Sequence, residues 1–148
     1  MKPKSFRDLK VWQLAHDLSL EVSELTKTLP REERYRLADQ MIRSARSVPA
    51  NISEGFRRFH FNDKLTFYER SLTSLDELDN HFSEAIGNKF ITDNICLRFN
   101  RKIKEISFLL NKMMSNIIKA RDNDTSSRRL NSSQRLNPSP RLTSKPKA

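Results

Sequence analysis

The sequence predicts an all-α protein: an antiparallel, up-down-up-down four-helix bundle over residues 1–120 and a disordered basic tail over 121–148. Three observations carry this expectation. Four long stretches repeat apolar residues at intervals of three and four, the spacing that gathers them on one helical face. Only two glycines, Gly55 and Gly87, occur in 148 residues, too few for the many tight turns of a β-rich fold. From Phe99 through Ile103, Ile106, Leu110 and Met113 to Ile117, steps of four and three alternate, which is the heptad seam of a bundle.

The first helix is expected over about 8–29. Trp12, Ala15, Leu18, Val22, Leu25 and Leu29 share a face, and Ser5 to Asp8 resembles a capping box with aspartate for the usual glutamate. Pro30 ends it, because the residue before a proline is pushed out of the helical region. The same proline opens a second helix over about 31–60, with Glu32 and Glu33 at its positive end. Leu37, Ala38, Met41, Ile42, Ala45, Val48, Ile52, Phe56 and Phe59 form its stripe. The stripe survives across Pro49, so one bent helix is expected rather than two short ones. Asn62 and Asp63 offer a cap for a third helix over about 63–87, with Leu65, Tyr68, Leu72, Leu75, Leu78 or Asp79, Phe82 and Ile86 inward and Gly87-Asn88 as its stop. Thr92-Asp93 caps a fourth, over about 93–120. Short connections make successive helices antiparallel.

Beyond Arg121 the apolar pattern stops. Arg129-Leu130-Asn131, Arg135-Leu136-Asn137 and Arg141-Leu142-Thr143 begin a degenerate repeat of period six rich in serine, asparagine and proline. Such a composition buries too little apolar area to offset chain entropy, hence the expected disorder. This tail carries seven basic and two acidic residues; the other 120 residues carry 21 and 16, so each part contributes +5 to the net charge of +10. A basic balance favours polyanionic partners such as RNA or DNA. Cys96 stands alone and excludes an intrachain disulfide. No segment has the length and apolarity of a membrane span, and the first residues lack the pattern of a signal peptide. A cytoplasmic protein without a membrane role is the expectation.

The usual catalytic constellations are missing. His16, His60, His81 and Cys96 show no metal-ligand spacing, and two glycines leave no room for a phosphate-cradling loop. The histidines are read as surface or boundary residues and Cys96 as an inert thiol near an apolar seam. A metal-dependent nuclease built on Glu54 and Glu77 would need more clustered carboxylates than these helices offer. The chain is therefore expected to be no enzyme, to hold no metal and to need no cofactor.

Two features of the second helix are sharper. Arg36, Arg43 and Arg57 are separated by seven and fourteen residues, Arg46 lies one turn beyond Arg43, and Arg58 and Lys64 extend the charge. A seven-residue step drifts only about 20° around a helix, so these arginines line one side, away from the apolar stripe. They form either a phosphate-contacting ridge or a solvated, subunit-bridging face paired with glutamates such as Glu54 or Glu69. The second feature is Ser47-Val-Pro-Ala-Asn-Ile-Ser-Glu-Gly55. Pro49 frees a carbonyl one turn earlier, Asn51 has donors and acceptors to reorganise around that gap, and Gly55 permits close approach of a neighbouring helix.

The opening Phe6-Arg-Asp-Leu-Lys-Val-Trp-Gln-Leu-Ala15, the run Leu37 to Gly55 and Ser74-Leu-Asp-Glu-Leu78 resemble the four-helix-bundle family first associated with intervening sequences in bacterial 23S ribosomal RNA genes. The resemblance covers about residues 5–120, in order and spacing. It implies a homopentamer without enzymatic activity. It also implies kinship with the accessory protein of diversity-generating retroelements, a basic pentamer that associates with a reverse transcriptase and nucleic acid. The motif positions carried over are Trp12, Gln40, Arg43, Pro49, Asn51, Glu54, Gly55, Ser74 and Glu77, while Thr73 stands where many members have glycine. Apolar residues off the main seams, such as Val11, Leu14, Leu20, Phe67 and Leu97, suggest a second buried face.

The expected function is a non-enzymatic oligomeric scaffold binding nucleic acid, RNA first, through Arg36, Arg43, Arg46, Arg57 and Arg58 and the tail. The rival expectation is a protein–protein adaptor, with a partner such as a reverse transcriptase and no direct nucleic-acid role.

Overall fold

The computed structural model describes residues 2–136 and 147. Among them there are four α-helices and no strand: α1 Lys10–Thr26, α2 Leu37–Arg57, α3 Phe61–Gly87 and α4 Asp93–Leu136. Short 3₁₀ turns at Phe6–Asp8 and Arg31–Glu33 precede α1 and α2. One continuous core runs through all four helices, from Ala15, Leu18 and Val22 on α1 to Phe99, Ile106 and Leu110 on α4. Phe82 and Phe99 stack at its centre with ring centroids 4.8 Å apart. On α3 the inward residue is Leu78 rather than Asp79.

The helix starts differ from the sequence expectation for identifiable reasons. The capping box exists, but it closes the 3₁₀ turn: Asp8 Oδ2 accepts the Ser5 backbone N–H at 3.0 Å while Ser5 Oγ accepts that of Arg7. α2 begins at Leu37, not at residue 31, because no residue between Leu29 and Leu37 is buried against the core, and Arg36 leaves helical geometry (φ −116°, ψ −103°). α2 also ends at Arg57 rather than 60. Phe59, expected in the apolar stripe, is therefore outside the helical register and 90% exposed. α3 starts at Phe61, so Asn62 and Asp63 fall in its first turn and do not cap it. At its far end Lys89, not Gly87, takes the left-handed conformation (φ 61°). The N–H groups of Lys89 and Phe90 close on the carbonyls of Ile86 and Ala85, a Schellman arrangement. Thr92 caps α4 as expected, its Oγ1 accepting the Ile95 N–H at 3.3 Å.

The expected disorder from residue 121 is corrected by the structure as far as Leu136, because α4 continues that far without interruption. No glycine or proline occurs between Asp93 and Asn137, so no breaker stops the helix. Arg128 pairs with Asp124 one turn back at 3.1 Å, and Ser126, Ser127 and Ser133 hydroxyls donate to carbonyls four residues earlier. The remainder of the expected tail, Lys147 apart, lies outside the described residues.

Contacts between α2 and α3 are the densest in the molecule, and they are antiparallel: Gly55 meets Tyr68, Val48 meets Ser71, and Ser47 meets Ser74. A Cβ on Gly55 would lie 2.7 Å from Tyr68 Cε1 and 3.1 Å from Phe67 Cβ, so only glycine lets the helices come this close. Thr73, by contrast, is exposed and its hydroxyl turns back to the Glu69 carbonyl. α2 runs unbroken across Pro49, one helix as expected. The polar residues around it serve the helix pair more than the proline gap. Asn51 Nδ2 donates to the carbonyl and hydroxyl of Ser47 at 2.9 and 3.0 Å, and not to Ala45, whose carbonyl Pro49 deprives of its donor. Ser74 Oγ donates to Ser47 Oγ, and Ser71 Oγ to the Val48 carbonyl, both at 2.9 Å.

Candidate nucleic-acid interface

At 100° per residue Arg43 points away from the core, while Arg46 is turned some 60° toward α1. Arg36 lies outside the helical geometry and Arg58 follows the last helical residue with extended backbone (φ −69°, ψ 140°). All five arginines are exposed, but they do not form one uniform ridge. Arg43 Nε pairs with Asp39 at 3.1 Å on its own helix. Arg58 pairs with Glu54 and lays its guanidinium over the Phe67 ring at 4.6 Å. Arg36, Arg46 and Arg57 make no ion pair among the described residues. Lys64 is half-buried and engaged within the fold: its ammonium donates to the Phe56 and Gly55 carbonyls at 2.9 and 3.3 Å, capping the end of α2, and burial lowers its pKa.

Arg46 instead opens onto a groove that the sequence alone did not disclose. Buried Leu29 ends the turn after α1, Pro30 redirects the chain, and the 3₁₀ turn Arg31–Glu33 swings back against the start of α2. The groove between them measures about 630 Å³. Lys27, Arg31, Arg34 and Arg46 line it around an apolar floor of Leu29, Pro30, Ala38 and Ile42, and no carboxylate is among its lining residues. Lys27 also pairs with Glu24 at 2.7 Å, but both side chains are largely exposed, so that pair holds the ammonium weakly. Arg31 and Arg34 make no ion pair among the described residues. The available signal was the Arg31-x-x-Arg34-Tyr35-Arg36 run, masked by reading it as helix.

A model of the family described as 23S rRNA-intervening sequence protein matches residues 7–112. This chain belongs to that family. The match takes in α1 to α3, the groove and α4 as far as Lys112, and stops short of the last packed turn and the helical extension. Among solved structures, the family member's fold is similar to a crystal structure from Bacteroides thetaiotaomicron, described as a protein of unknown function from the S23 ribosomal protein family. The two are 23% identical with a TM-score of 0.67, over 71% of this chain and 95% of that one. No curated protein matches the chain.

The motif residues of this family member fall into packing roles. Trp12 stacks on His16 at 4.8 Å and takes the edge of Phe6 at 5.1 Å. The Gln40 carbonyl accepts from the Ser44 hydroxyl, Pro49 is buried within α2, Asn51 bonds back to Ser47, and Gly55 and Ser74 make contacts between α2 and α3. Glu54 and Glu77 are not brought into one acidic site: Glu54 holds Arg58, and Glu77 lies 3.6 Å from His81. His81 is a further correction, buried on the α3 stripe beside Leu78 and Phe82 with neither ring nitrogen hydrogen-bonded. Cys96 is half-buried, and burial, reinforced by Asp79 and Asp93, pushes its thiol up and away from the reactive thiolate. Among the described residues no helix is long and apolar enough to cross a membrane.

Proposed function

We propose that this protein is a non-enzymatic, oligomeric up-down-up-down scaffold that binds RNA through the basic groove and the adjoining arginine side of α2. One observation carries the reading: four cations converge on a groove with no carboxylate in its lining. Elsewhere on α2 the arginines Arg43 and Arg58 are offset by acids of their own helix. Three of the four, Arg31, Arg34 and Arg46, make no ion pair among the described residues, and such a concentration of unpaired cations is the footprint expected for phosphate contact. The family's description, which names an intervening sequence of 23S rRNA, agrees with RNA as the polyanion. The oligomer reading is the one the family resemblance implies, and Leu20, Leu97 and Phe108, each more than half exposed on α1 and α4, are apolar side chains it would cover. A pentamer is the assembly proposed.

A salt titration of RNA binding by the full chain tests the reading. The logarithm of affinity should fall steeply and linearly with that of salt concentration. Replacing Arg31, Arg34 and Arg46 by glutamine should flatten the slope. Absence of binding at low salt would leave the adaptor reading, in which one protein partner is recovered whether or not nuclease is present. Light scattering tests the assembly, and a monomer would sink the scaffold.

A further inference from the structure

We infer that the groove takes single-stranded rather than duplex nucleic acid, with Tyr35 as the platform on which an unpaired base stacks. The inference rests on the RNA-binding reading above and names the form of the ligand. Tyr35 stands between Arg34 and Arg36 and is 85% exposed. An aromatic side chain ordinarily buries most of its large apolar surface, and none of the described residues covers this one. Its backbone is nevertheless held: the Arg36 N–H donates to the Glu33 carbonyl at 3.1 Å, and the Gln40 N–H to the Arg36 carbonyl at 3.2 Å. The ring is thus carried on a hydrogen-bonded turn next in sequence to Arg34, which lines the groove.

Charge and shape select the occupant together. Arg31, Arg34 and Arg46 supply positive charge for the sugar-phosphate chain, and the Glu32 and Glu33 carboxylates of the same turn do not line the groove. Its floor of proline and aliphatic side chains suits the face of a base or ribose, not a second charged surface. The groove of about 630 Å³ is open along one side and concave, with room for a nucleotide or two. A duplex offers a convex backbone with its bases stacked inside, out of reach of an aromatic ring. A single strand offers free base faces, and aromatic stacking combined with a cationic groove is how such strands are held without sequence preference.

The test uses the full chain and fluorescence anisotropy, with a labelled oligouridylate about a dozen nucleotides long and an RNA duplex of equal length as probes. The single strand should bind at least tenfold tighter than the duplex at equal salt. Tyr35→Ala should weaken single-strand binding roughly five- to hundredfold, leave duplex binding within about twofold, and leave the salt slope unchanged because no charge is lost. Tyr35→Phe should keep the affinity. An unaltered circular dichroism melt is expected for both variants, the ring being outside the core. Equal affinity for the two probes, or a Tyr35→Ala variant that binds the single strand like the parent, overturns the inference. RNA binding that Arg31→Gln, Arg34→Gln and Arg46→Gln still reduce would then leave the broader reading standing, whereas no binding at low salt removes both. A Tyr35→Ala change in scattering mass with RNA affinity intact would assign the ring to a chain–chain contact and overturn the inference as well.

Discussion

The two sides of α2 are both rich in polar residues and use them in opposite ways. Toward α3, Ser44, Ser47, Asn51 and the facing Ser71 and Ser74 find protein partners for their hydroxyl or amide groups, and Gly55 removes the last obstacle to contact. Toward α1 and solvent, Arg46, Arg31 and Arg34 have no acidic partner among the described residues. Satisfied polar groups in a tight seam specify structure. Unsatisfied charge on a concave surface is left over for a ligand. The contrast teaches that polarity alone does not mark a site; what matters is whether the fold has already consumed it.

The largest effect should come from the packed side. Gly55→Val must displace the buried Tyr68 ring, and an expected loss of about 3 kcal/mol would be read from urea unfolding. A variant as stable as the parent would show that the helices are free to part. The same contact has a pH signature. Burial pushes the Tyr68 phenol from 10 up to about 12, so in that window the folded chain holds a proton that the unfolded chain has released. Stability is fully present below pH 10 and falls as pH rises toward 12, by about 2 kcal/mol. Urea midpoints on either side of the window should converge in Tyr68→Phe.

Next in size is the groove. Arg31→Gln, Arg34→Gln and Arg46→Gln together should cost about tenfold or more in RNA affinity and lower the salt slope by about 2, at roughly 0.7 per phosphate contact on a single strand. Ser74→Ala should lose about 1 kcal/mol of stability through its hydroxyl bond to Ser47, with RNA affinity unchanged; a loss of affinity at equal stability would blur the division between the sides. The smallest effect is expected from Arg43→Gln with Arg58→Gln. Their charges are already offset on α2, so affinity should change by less than about twofold and stability by no more than about 0.5 kcal/mol. If this pair mattered as much as the groove, the ridge and not the groove would be the working surface.

Much of the fold was legible because it depends on local repetition. The heptad seam from Phe99 to Leu110 is buried as its spacing requires, the family motif sits where α2 meets α3, and Thr92 and Gly87-Asn88 mark real boundaries. Legibility failed where no apolar period existed to read. The 3₁₀ turn at Arg31–Glu33 was taken for helix, Phe59 for core, and the polar stretch after Arg121 for disorder as far as Leu136, where it is helical. The turn and the stretch after Arg121 have little to bury, and Phe59 lies past the end of α2 at Arg57, so its apolar ring falls outside the helical register.

By itself, then, the sequence determined the four helices, their inward faces, the proline-containing α2 and an excess of positive charge, because period and composition are properties of the chain. Only the tertiary structure decided which of those charges remain available. Arg43 and Arg58 look no different from Arg46 in a string of residues. Asp39 and Glu54 offset the first two, while the turn after α1 brings Arg31 and Arg34 to the third. Electrostatic interaction depends on distance through space, and distance through space is what folding alone creates.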